Sequence, residues 1–124
     1  MPYQFYNPNP LKQRSGDHAV RAISKILGKE WEETFVGLCC EGLKLKEMPE
    51  SVLGEYLRSY GFRARSINCI CPDCMTVERF TKRYPRGKYI LATENNIVAV
   101  RDGDYFDIRD SGDDIVLYYY EEVN

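Results

Sequence analysis

A chain of 124 residues, 44% hydrophobic and 29% charged, is enough for one compact domain with one core and leaves no material for a second. With 17 Lys and Arg against 19 Asp and Glu the formal net charge is −2, and no segment concentrates basic residues, which argues against a nucleic-acid partner. The longest apolar runs, such as residues 115–120, fall far short of the roughly 20 residues of a membrane span, and the first ten residues lack a signal-peptide apolar region. The expectation is a soluble cytoplasmic protein without membrane partners.

In chain order, residues 1–14 carry three prolines and no periodicity, which predicts an extended N-terminal arm ahead of a single domain over 15–124. Ser15 or Asp17 can cap a first helix whose Val20, Ile23, Ile26 and Leu27 recur at helical spacing, with Gly28 as its stop. Trp31, Phe35, Leu38 and Cys39 mark a second helix ending near Gly42. Met48, Val52, Leu53, Tyr56 and Leu57 mark a third ending at Gly61. All three have apolar stripes to bury. Residues 62–67 alternate apolar and charged, as an edge strand does, and are followed by the loop NCICPDCM. Thr76 can cap a fourth helix that Pro85 ends.

The remainder is β-rich: residues 88–93, 97–101, 105–108 and 115–120 are short runs separated by Asn95-Asn96, Asp102-Gly103 and Ser111-Gly112, the punctuation of a meander. Helices first and strands afterwards predict an α+β domain, with N-terminal helices packed on a C-terminal antiparallel sheet of four or five strands.

Five cysteines, two of them adjacent at Cys39 and Cys40, suit reduced thiols better than a disulfide framework. Cys69, Cys71 and Cys74 form CxCPxC, with the spacing of a zinc knuckle or a redox pair. Three thiolates need a fourth ligand from His18, Asp73 or another chain, so an exposed reduced loop is the plainer reading and zinc the alternative cofactor. The aspartates between 102 and 114 lack calcium-loop spacing and read as acidic hairpin turns. Next to them, Tyr105, Tyr118 and Tyr120 offer aromatic anchors for a protein partner, or core packing on one side of a strand.

The residues DHAVRAI, 17–23, open the first helix, where the helix dipole stabilises negative charge. Cysteine nucleophiles favour such a place because it depresses the thiol pKa, and a His on the facing sheet can then exchange the proton. KQRSGDHAVRAISKILGKEWEETF resembles the start of small bacterial and phage papain-like cysteine peptidases, in which GDC begins this helix before RAI. TVERFTKRYPRGKYILAT and NIVAVRDGDYFDIRDSGD extend the likeness over residues 7–120, and exporter-attached bacteriocin-processing peptidases are similar at greater distance.

The resemblance implies a minimal papain-like fold. Carried over residue by residue, it assigns the nucleophile position to His18, the base position to Asn96, the orienting carboxylate to Asp107 or, second, Asp110, and the oxyanion glutamine to Gln13. An imidazole cannot perform thiolate attack there and a carboxamide cannot shuttle a proton. The expectation is therefore a pseudoenzyme with a remnant site at Gln13, His18, Asn96 and Asp107. It would act by protein binding in a phage or mobile-element setting, with a residual cysteine-type hydrolase or a zinc-stabilised scaffold as alternatives.

Overall fold

The computed structural model describes residues 2–10, 17–45, 50–67, 74–94 and 96–123. The domain is α+β: strand β1 (Tyr3–Phe5), helices α1 (His18–Leu27), α2 (Trp31–Leu45) and α3 (Glu50–Ser59), strand β2 (Phe62–Ser66), helix α4 (Val77–Arg83), and strands β3 (Lys88–Thr93), β4 (Ile97–Arg101), β5 (Asp104–Asp107) and β6 (Val116–Glu122). All six strands join one sheet in the order β1-β5-β4-β3-β6-β2.

Local chemistry accounts for several boundaries. Gly28 ends α1 in the left-handed region at φ 66°, where a side chain would be strained. Thr76 Oγ1 accepts the Arg79 N–H at 3.1 Å and so satisfies one orphan donor of α4. Asp102 and Gly103, both at positive φ, make the tight turn that matches the twist of the β4–β5 hairpin.

Strand alternation then builds a core on each face of the sheet. Ile90, Ala99, Phe62 and Tyr120 pack with Ile23, Ile26 and Leu57 on one side. Leu91, Val98, Val100, Tyr105, Val116 and Tyr119 pack with Val77 and Phe80 of α4 on the other. Because both faces are covered, β3 and β4 carry nearly unbroken apolar runs. Each fully buried Ile or Leu contributes about 1.5–3 kcal/mol.

Three expectations are corrected. The sheet has six strands, more than the four or five expected, because the extended arm supplies β1, which pairs in parallel with β5 from Tyr3↔Tyr105 to Phe5↔Asp107. The meander covers only β3, β4 and β5: β1 occupies the edge that β6 would need, and β6 pairs with β3 and β2 instead. Helix α2 runs past Gly42 to Leu45, and its apolar stripe is only partly buried: Leu38 packs on the core, whereas Phe35 and Cys39 face solvent. The inward face is made instead by Thr34, whose hydroxyl accepts from Ser24 Oγ at 3.0 Å, and by Gly37, where an added Cβ would lie 2.7 Å from the Tyr56 ring.

Candidate functional site

The head of α1 is a buried cluster of charged and amide groups. Asp17 sits at the N-cap position, but its carboxylate caps nothing. One oxygen pairs with the Arg21 guanidinium a turn later, and the other accepts from Asn9 Nδ2 at 3.1 Å and from Trp31 Nε1 at 2.9 Å. The i,i+4 spacing of Asp17 and Arg21 puts both on the helix face turned to the sheet.

Arg21 reaches onward, 3.6 Å from Asp107 Oδ1 at the end of β5. Asp107 is 3% exposed and fully engaged: Oδ1 accepts the Ile108 N–H at 2.7 Å, and Oδ2 accepts Asn96 Nδ2 at 2.8 Å. Asn96, between β3 and β4, is held in turn by its own Oδ1, which accepts the Ile97 N–H at 3.0 Å, and by its carbonyl, which accepts from Thr93. Two carboxylates therefore share one guanidinium out of water, an arrangement that persists only with nearly every lone pair occupied.

His18, the first residue of α1, borders this cluster. Burial and then the neighbouring Arg21 lower its pKa below the ordinary 6.5, against the opposing pull of Asp107 and Asp17, so the imidazole is neutral at neutral pH. Its Nδ1 is buried and has no hydrogen-bond partner among the described residues. His18, Asn96 and Asp107, far apart in the chain, thus come together, while Gln13 lies outside the described residues. Asp110 is turned to other work: it accepts from the Tyr105 hydroxyl and from the Gly112 N–H, and the tyrosine bond holds its carboxyl below the usual range.

Asn9, Asp17, Arg21 and Trp31 were not singled out from the sequence as parts of this site. The only local signal was the Asp17–Arg21 spacing, since Asn9 and Trp31 reach Asp17 from 8 and 14 positions away.

Chemically, the cluster holds no thiol among the described residues. Cys39 and Cys40 are exposed on α2, and Cys74 is half-buried ahead of Thr76. Neutral imidazole can accept a proton, but neither the carboxamide nor the paired carboxylates beside it form an attacking group.

Two of the three tyrosines expected to meet a partner are buried. Tyr105 is 1% exposed and Tyr120 7%, because each takes an inward step of its strand, and Tyr118 is half-buried against the Tyr120 ring at 5.8 Å. Of the CxCPxC loop, Cys69 and Cys71 lie outside the described residues. Among the described residues no group of three His, Cys, Asp or Glu is arranged to hold a metal, and no helix is long and apolar enough to cross a membrane.

No protein-family model matches the chain, and neither a curated protein nor a solved structure matches it.

Proposed function

We propose that the chain is a papain-like domain that has lost peptidase chemistry and acts by binding another protein, in the phage or mobile-element setting its resemblance implies. The observation that carries this reading is the hydrogen bond from Asn96 Nδ2 to Asp107 Oδ2 at 2.8 Å beside the head of α1. In a papain-like site a His–carboxylate pair spans that place and a thiol heads the helix. Here a carboxamide makes the same contact and His18 takes the helix head, so the frame persists without its nucleophile and base. Arg21 further supports the loss, because it draws on both carboxylates and leaves neither available to orient a proton carrier. A retained frame without chemistry keeps its shape, and shape is what a binding module uses.

Incubation with a thiol-reactive peptide electrophile tests the loss of chemistry. Labelling is expected to be slow and spread over the five cysteines. One hyper-reactive cysteine would overturn the reading in favour of a hydrolase. The double variant His18→Cys/Asn96→His tests the frame: it is expected to gain a fast-labelling thiol with a depressed pKa, and a folded variant without one would refute the papain-like assignment. Capture from extracts of the source cells, with wild type against His18→Ala, tests the binding half, which fails if nothing co-purifies with either.

A further inference from the structure

Strand β2 lies at one end of the sheet and pairs only with β6, from Phe62↔Glu122 to Ser66↔Tyr118. The Val123 N–H donates to the Gly61 carbonyl at 2.7 Å, so by alternation Gly61, Arg63 and Arg65 turn their backbone groups toward β6. Phe62, Ala64 and Ser66 point theirs outward, and no backbone group among the described residues answers them. Such an edge accepts an extended chain as one more strand, through main-chain bonds that almost any sequence can make.

The side chains decide which sequence. Arg63 and Arg65 stand on the α4 face of the sheet, the face of Tyr119, and Phe62 and Ala64 on the α3 face, that of Tyr120. On the α3 side the edge borders a groove lined by Gly54, Arg58, Phe62, Ala64 and Tyr120. Gly54 and Ala64 leave room there for small apolar side chains of an added strand: even a Cβ at Gly54 would meet nothing nearer than the Tyr120 hydroxyl at 3.7 Å. On the α4 side the register sets Arg63 opposite Glu121, yet that carboxylate bonds Arg65 Nε at 2.7 Å, and Arg63 has no ion pair among the described residues. The Arg65 pair is exposed and therefore weak, and it leaves the terminal nitrogens of that guanidinium for another carboxylate. A second copy of β2 is disfavoured, because antiparallel pairing centred on Ala64 sets Arg63 of each copy against Arg65 of the other. A strand with carboxylates at those positions reverses the sign.

We propose that the free edge of β2 is a docking site for an extended acidic segment of another protein, with carboxylates at alternate positions beside Arg63 and Arg65 and small apolar residues between them on the α3 side. The site rests on the binding half of the function proposed above and is indifferent to the papain-like assignment.

Fluorescence anisotropy of the whole chain with the labelled peptide TEVEVET, beside TKVKVKT, tests it. The acidic peptide is expected to bind more than about 10-fold more tightly, and Arg63→Glu/Arg65→Glu to reverse the preference. Ala64→Pro removes one outward N–H and no bond to β6, so the melt is expected to stay cooperative while binding of TEVEVET falls more than about 10-fold. Should Ala64→Pro fail to fold, TEVEVET with both valines N-methylated carries the same test from the peptide side. Absence of binding at about 1 mM, equal affinity for the two peptides, or binding indifferent to both backbone blocks overturns the proposal. If the chain captures a protein from extracts yet ignores TEVEVET, the edge is refuted and the binding function is not.

Discussion

At the head of α1, charged side chains are enclosed; along the outer face of α2, apolar ones stand in water. Both invert the ordinary division of residues, and they differ in what compensates the inversion. Asp17, Arg21 and Asp107 are matched within the chain, each carboxylate meeting the guanidinium and further donors. Phe35, Val36 and Leu43 keep much of their surface in solvent. Enclosed charge must be answered inside the fold because the cost of leaving it unpaired is several kcal/mol, whereas exposed apolar surface can be answered from outside.

Removing the internal match should have the largest effect. Arg21→Leu leaves two buried carboxylates without their cation, and a loss of about 3–5 kcal/mol is expected in urea unfolding. A loss below about 1 kcal/mol would mean that water reaches the cluster and the contrast with α2 is weaker than drawn.

Titration probes the same region more gently. The native imidazole of His18 is held below its ordinary 6.5, so under acid conditions the unfolded chain binds a proton that the native one refuses. Stability from this residue is therefore full above pH 6.5, declines as pH falls from there to the native pKa, and is level below it. The difference in urea midpoint between wild type and His18→Gln should follow that course. A difference independent of pH would mean that neither burial nor Arg21 disfavours the charged imidazole.

The smallest effect belongs to α2. Leu43→Ser should change stability by no more than about 0.5 kcal/mol. A larger loss would show the side chain packing within its own domain.

Much of this fold could be read locally. Gly28, Thr76 and the Asp102-Gly103 turn act through their own backbone and neighbours, and the stretches of β3 and β4 were found at their observed bounds. What could not be read depends on distant partners. The parallel pairing of β1 with β5 and the placing of β6 beside β3 have no sign within any short window. Helix α2 misled because its periodicity is real but points outward: Gly37 and Thr34 face the domain through fits to Tyr56 and Ser24 that pattern alone does not reveal. Of the candidate site, the resemblance brought out His18, Asn96 and Asp107, while Arg21, which joins Asp17 to Asp107, looked like an ordinary helical residue.

Strand β1 bears on how the chain is made. The Tyr3 hydroxyl donates to the Asp107 carbonyl across 104 positions, and the Tyr105 N–H donates to Pro2 at 2.8 Å. Closing so long a loop is entropically costly and slow. During synthesis residues 3–5 must therefore wait for β5 to emerge, and until the two meet, first the N-terminal segment and then the tyrosine-bearing edge of β5 are open to pairing with the wrong chain.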